Sequence, residues 1–112
     1  MDFSHWVCVS KSFLEGHEDF VSRAVKCSAH VYVRVGRPQS PQVTHPAPSE
    51  NPAALQKHCA WWDAIVAGLQ ANSDENLTIT TEFEPVPYMP TLSFTNQAVG
   101  DQFEINVWML GV

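Results

Sequence analysis

Arg34, Arg37, His30 and Glu82 are the side chains whose types and positions offer chemistry most directly. A guanidinium is a planar fork of donors that suits a sugar hydroxyl or a phosphate oxygen. Arg34 lies in the run His30-Val31-Tyr32-Val33-Arg34-Val35, and Glu82 closes the run Leu77-Thr78-Ile79-Thr80-Thr81-Glu82. Side chains alternate between the two faces of a strand. His30, Tyr32 and Arg34 therefore share one face, and Thr78, Thr80 and Glu82 share the polar face of the second run. A salt bridge from Arg34 to a strand-end carboxylate competes with ligand binding for its charge. His45 reads as an exposed loop residue, and His17 and His58 fall in helices with no partner suggested by spacing. No Ser-His-Asp or Cys-His arrangement and no glycine-rich phosphate loop can be argued.

The elements that must position these groups follow from the prolines and the apolar spacing. All eight prolines fall within 38 to 52 and 85 to 90, and each stretch follows one of the two alternating runs. Prolines fix φ and cannot donate to a ladder, so they build stiff irregular loops at strand exits, where binding and catalytic groups concentrate. Ser12 with Glu15 has the form of a capping box, and Phe13, His17, Phe20, Val21, Ala24 and Val25 recur at helical spacing, predicting a helix from about 12 to 28. Asn51-Pro52 opens a second helix with the stripe Leu55, Cys59, Trp62, Val66 and Leu69, and Asn72 can end it. In the tail from about 96 to 110, Val99, Phe103, Val107 and Leu110 predict a helix, although Phe103, Ile105 and Val107 also suit a strand.

Strands alternating with helices of this length imply an α/β fold with a parallel sheet. An open doubly wound sheet buries both faces and favours continuous apolar strands, whereas here one face is polar in both runs. A barrel accounts for this, with outward residues packed on helices and inward ones lining a mouth. A half-solvated sheet with one wet face gives the same pattern.

Composition narrows the partners. The chain has 112 residues, 45% hydrophobic and 16% charged, enough for one core. A net charge of -6 with six Lys plus Arg gives no electrostatic reason to approach a phosphate backbone, so neither nucleic acid nor an anionic membrane is expected. Cys8, Cys27 and Cys59 are odd in number and lack a CxxC pair, which predicts small, buried, reduced thiols and a cytoplasmic setting. The start carries Asp2 and His5 where a secretory signal needs a basic region and an apolar core. No apolar run approaches the roughly 20 residues of a membrane span. Asn76-Leu77-Thr78 fits the glycosylation triplet, which without a secretion signal reads as accidental.

Several separate runs, in order, carry a family resemblance. They are Asp2-Phe3-Ser4-His5-Trp6-Val7-Cys8, then Arg34-Val35-Gly36 followed by Pro41-Gln42-Val43, then Trp61-Trp62-Asp63, then Thr80-Thr81-Glu82-Phe83 through Pro87-Tyr88-Met89-Pro90. Together they resemble the C-terminal part of sugar phosphate isomerase/epimerase proteins with a xylose isomerase-like TIM barrel, over essentially the whole chain. The resemblance implies a partial (β/α)8 barrel over 1–112, with Asp2 at the end of barrel strand six, 30–35 as strand seven and 77–82 as strand eight. Such barrels usually need about 250 residues, so roughly the first half or more is expected to be absent.

What the resemblance implies about the site is specific. Asp2 and Glu82 correspond to ligands of a divalent metal, manganese or magnesium rather than zinc. Glu82 also corresponds to a carboxylate that moves a proton, and His5 to a substrate contact. Arg34 matches no family arginine, and its strand face, shared with Tyr32, is what places it at the mouth as a second expected substrate contact. A hard cation takes oxygen ligands and stabilises the oxyanion of an enediol-like intermediate. The departures are equally specific. His30-Val31-Tyr32 puts a tyrosine at the expected histidine ligand position, and a phenol with a pKa near 10 is a weak ligand. His30 lies one residue pair lower, about 6 to 7 Å away by strand rise. A further glutamate ligand would lie on a strand outside this chain, and Glu84 stands where many relatives carry glycine.

The expected activity is sugar or sugar phosphate isomerisation or epimerisation, completed by self-association or by another chain, because two strands cannot close a barrel. The alternative is a noncatalytic or vestigial fragment that associates with a full-length relative or itself. Another enzyme of the same barrel family, such as an apurinic endonuclease, is disfavoured by the acidic balance and the sparse histidines.

Overall fold

The computed structural model describes residues 1–47, 52–71 and 76–112. Its elements run α1 (Phe3–Ser10), α2 (Glu18–Cys27), β1 (His30–Val33), α3 (Pro52–Ala71), β2 (Thr78–Thr81) and α4 (Gln102–Met109). The chain is thus a small α/β protein. Among the described residues the sheet has two strands and is not a closed barrel.

β1 and β2 pair in parallel, with His30 opposite Thr78, Val31 opposite Ile79, Tyr32 opposite Thr80 and Val33 opposite Thr81. The β1 edge away from β2 is occupied too. The Met1 amino group donates to the His30 carbonyl at 2.5 Å, and the Met1 carbonyl accepts from Tyr32 N at 3.0 Å. That exchange across Val31 is the bonding of a parallel ladder. Asp2 consequently leaves the sheet at the same end as Arg34 and Glu82.

The alternating pattern sorts the faces of β1 as the sequence implies, whereas on β2 Ile79 of the apolar face is exposed. Val31, Val33 and Val35 are buried with Phe3, Val7, Ile65, Phe83, Met89 and Ile105 in one apolar core, while Tyr32, Thr78 and Thr80 on the other face are exposed. His30 spans that polar face, with Nδ1 2.6 Å from Thr78 Oγ1 and Nε2 3.2 Å from Thr80 Oγ1. Its ring packs edge-on against Tyr32 at 4.7 Å.

The helices differ from expectation at their ends. α1 is an element that the alternating and proline signals do not announce. Asp2 caps it, accepting from His5 N through Oδ1 at 3.2 Å, and it buries Phe3, Ser4 and Val7. The expected helix over 12–28 starts only at Glu18. Ser12 Oγ accepts from Leu14 N instead of capping a helix, and Leu14 and Gly16 both adopt positive φ, which no α-helix accommodates. α3 matches its expected length from Pro52, whereas Asn51 and Asn72 lie outside the described residues. Its inward stripe is Ala54, His58 and Ile65, one residue round from the expected one, leaving Val66 exposed and Cys59 half-buried. α4 is the expected tail helix, shortened to begin after Asp101, which caps Glu104 N at 3.0 Å. The thiols are free as expected, but Cys27 is exposed and Cys8 is half-buried, because both sit on outward helix faces. Among the described residues no helix is long and apolar enough to cross a membrane.

Candidate functional site

Three separate segments deliver their charged groups to one place, the carboxyl end of the parallel strands. Continuing the strand register by one residue pair beyond Tyr32 and Thr80 brings Arg34 opposite Glu82 on the polar face. Arg34 Nη2 lies 3.0 Å from Asp2 Oδ2 and 3.8 Å from Glu82 Oε2. Arg34 Nε donates to Ser4 Oγ at 2.8 Å, and Ser4 Oγ donates to Asp2 Oδ1 at 2.5 Å. The guanidinium is buried, 5% exposed as a side chain, with its carbon 5.6 Å from the centre of the Tyr88 ring.

Glu82 is the chemically unspent member of this group. Its Oε2 is buried and has no hydrogen-bond partner among the described residues. Burial raises the carboxyl pKa above its ordinary value; Arg34 opposes the shift, and Asp2 and Glu84 reinforce it. A carboxyl shifted in that direction holds a proton more readily than a solvated one.

The two residues that follow Glu82 are held by side-chain amides, since β2 ends at Thr81. Gln42, fully buried, accepts from Glu84 N at 2.8 Å and donates to Glu84 O at 3.0 Å. Asn106 makes the same pair of bonds to Phe83. The first proline-rich loop and α4 thereby set where the Glu82 carboxylate sits.

His58 supports the opposite side of the site. It is fully buried; its Nδ1 hydrogen bonds with Ala54 O at 2.8 Å, and its Nε2 accepts from Gly36 N at 3.3 Å. A ring that donates from Nδ1 and accepts at Nε2 is neutral. Burial pushes its pKa down from 6.5 to about 4. Gly36 is held against Ser4 so closely that a Cβ would stand 2.7 Å from Ser4 O. The chain of contacts thus runs His58, Gly36, Ser4, then Asp2 and Arg34.

Of the residues singled out in the sequence, Asp2, Arg34 and Glu82 are brought together. His5 adjoins them through its backbone bond to Asp2, and its side chain is exposed. Tyr32, the expected ligand position, is exposed beside His30 one residue pair below Arg34. Arg37 is exposed, and its backbone pairs with Ser40. His45 Nδ1 accepts from Ala47 N at 3.1 Å and its ring packs on Trp108. Ser4, Gln42, His58, Tyr88 and Asn106 were not assigned roles by spacing.

With Arg34 held between the carboxylates, a metal at this site has too few free donors. Among the described residues no three His, Cys, Asp or Glu side chains gather to hold one. The position between the Asp2 and Glu82 carboxylates is taken by Arg34, and both Asp2 oxygens already accept hydrogen bonds. These residues do not form a divalent-metal site. Comparison with family models, with curated proteins and with solved structures finds no match for this chain.

Proposed function

We propose that this chain is the C-terminal βα portion of a (β/α)8 barrel of the sugar isomerase or epimerase type, contributing one side of a sugar or sugar phosphate site. The convergence of Asp2, Arg34 and Glu82 from three segments at the carboxyl ends of parallel strands carries this reading, because that is where barrel sites are built. Glu82 is the proton-moving carboxylate, and exposed His5 is the substrate contact. Arg34 fixes the charge balance, with the Tyr88 ring against its guanidinium. Further strands would complete the site: Ile79 is 56% exposed on the core-side face of β2, and β2 pairs only with β1 among the described residues.

The test is solvent exchange. Aldoses and ketoses, free and phosphorylated, are incubated with the chain in deuterated water, alone and with barrel halves that supply the missing strands. Deuterium incorporation beside the sugar carbonyl that disappears in Glu82→Gln is expected. Assembly without exchange or sugar binding would instead favour the noncatalytic fragment.

A further inference from the structure

We infer that Arg34 is the resident cation of the strand-end site, so that the Asp2 and Glu82 carboxylates share one guanidinium charge and take up no divalent metal while it is present. The inference concerns the site described above and rests on its three charged residues, not on the identity of the sugar.

Arg34 is the only lysine or arginine ion-paired with either carboxylate among the described residues. Its position is fixed on three sides. Nε is held by buried Ser4, Nη2 by Asp2, and the plane is covered by Tyr88. Ser4 cannot retreat, because Gly36 already meets its backbone. A metal bridging Asp2 and Glu82 would need the site of Nη2, and its two charges would face a guanidinium with nowhere to move. Displacement would also strip a buried arginine of its carboxylate, the arrangement that costs most in a low-dielectric site. Manganese and magnesium want several oxygen ligands, yet Asp2 Oδ1 is committed to Ser4 Oγ and His5 N. Tyr32, a phenol, supplies no compensating imidazole.

Arginine at this position thus changes what the two carboxylates can do. They hold a fixed donor array in place of an exchangeable ion. Replacing Arg34 by a neutral side chain should release both acids and create the metal site that its charge prevents.

The decisive experiment titrates manganese into the 15N-labelled chain and follows paramagnetic broadening of the His5 and Phe83 amides, with Arg34→Gln and Arg34→Gln/Glu82→Gln beside the wild type. The wild type should show no selective broadening at these amides up to about 1 mM metal. Arg34→Gln should bind at least about tenfold more tightly, the effect expected from removing one nearby positive charge, and Glu82→Gln should abolish the gain. Selective broadening in the wild type that Glu82→Gln removes overturns the inference, as does a folded Arg34→Gln with no gain. If Arg34→Gln does not fold, the wild-type titration against Glu82→Gln decides alone. Sugar exchange is read separately, so its failure leaves this result intact.

Discussion

The side-chain amide of Asn106 pairs with both backbone groups of Phe83, Oδ1 accepting from N at 2.9 Å and Nδ2 donating to O at 2.9 Å. It continues the ladder where β2 stops, one residue beyond Glu82. Asn106→Ala leaves a half-buried N–H and C=O of a buried residue without partners, which costs about 1 to 3 kcal/mol. The urea midpoint should fall accordingly, and amide exchange at Phe83 should accelerate. Asn106→Asp keeps the acceptor and loses the donor, so it should fall between alanine and the wild type only if its charge stays solvated.

Why this clamp is invisible in the sequence is instructive beside what is visible there. His30, Tyr32 and Arg34 alternate with three valines, and period-two alternation is a local consequence of strand geometry, so the polar face and its strand-end charges are legible. Asn106 and Gln42 meet their partners across 23 and 42 residues of chain, and nothing local records that. α1 was hidden for a different reason. Asp2 is both its cap and a site residue, and one carboxylate cannot advertise two jobs. His58 went unassigned because a stripe chosen on Leu55 and Cys59 turns it outward. Choosing Ala54 and Ile65 rotates the helix by one residue and puts His58 inside.

The buried imidazole makes stability depend on pH. Folding lowers the His58 pKa from 6.5 to about 4, so between those values the unfolded chain binds the extra proton. Stability from this group is therefore full above pH 6.5 and is lost as the pH falls toward 4, by roughly 3 kcal/mol in all. Thermal unfolding followed from pH 7.5 to 4 should show the decline. His58→Gln, which cannot titrate and can still accept from Gly36 N, should flatten it. An equally steep decline in that variant would assign the effect to other groups.

Gly36 tests the link between the core and the site. Its φ is unremarkable; the constraint is space, since a Cβ would lie 2.7 Å from Ser4 O and 2.9 Å from Ser4 Cα. Backbone atoms cannot rotate away, so Gly36→Ala should destabilise the chain by about 1 to 3 kcal/mol through overpacking. It should also push Ser4 off Arg34, shifting the Arg34 Nε–H resonance. Gly68→Ala is the control, because a Cβ there meets nothing within 4 Å and alanine favours the helix.

The charge balance of the site bears on its ligand. Asp2, Glu82 and Glu84 act electrostatically at this position, and the opposing arginine is buried and already paired. A phosphate brought to the strand ends meets three acids whose charge the one guanidinium only partly offsets, whereas a neutral sugar offers hydroxyls that donate to them. Saturation-transfer measurements should therefore give weaker binding for a hexose phosphate than for the parent hexose. Salt should narrow the gap, because screening weakens the repulsion. Glu84→Gln should narrow it as well, by removing one of the repelling charges while leaving Arg34, Asp2 and Glu82 in place. Tighter binding of the phosphate in the wild type would mean that the ligand reaches Arg34 directly, with Tyr88 swung off its face.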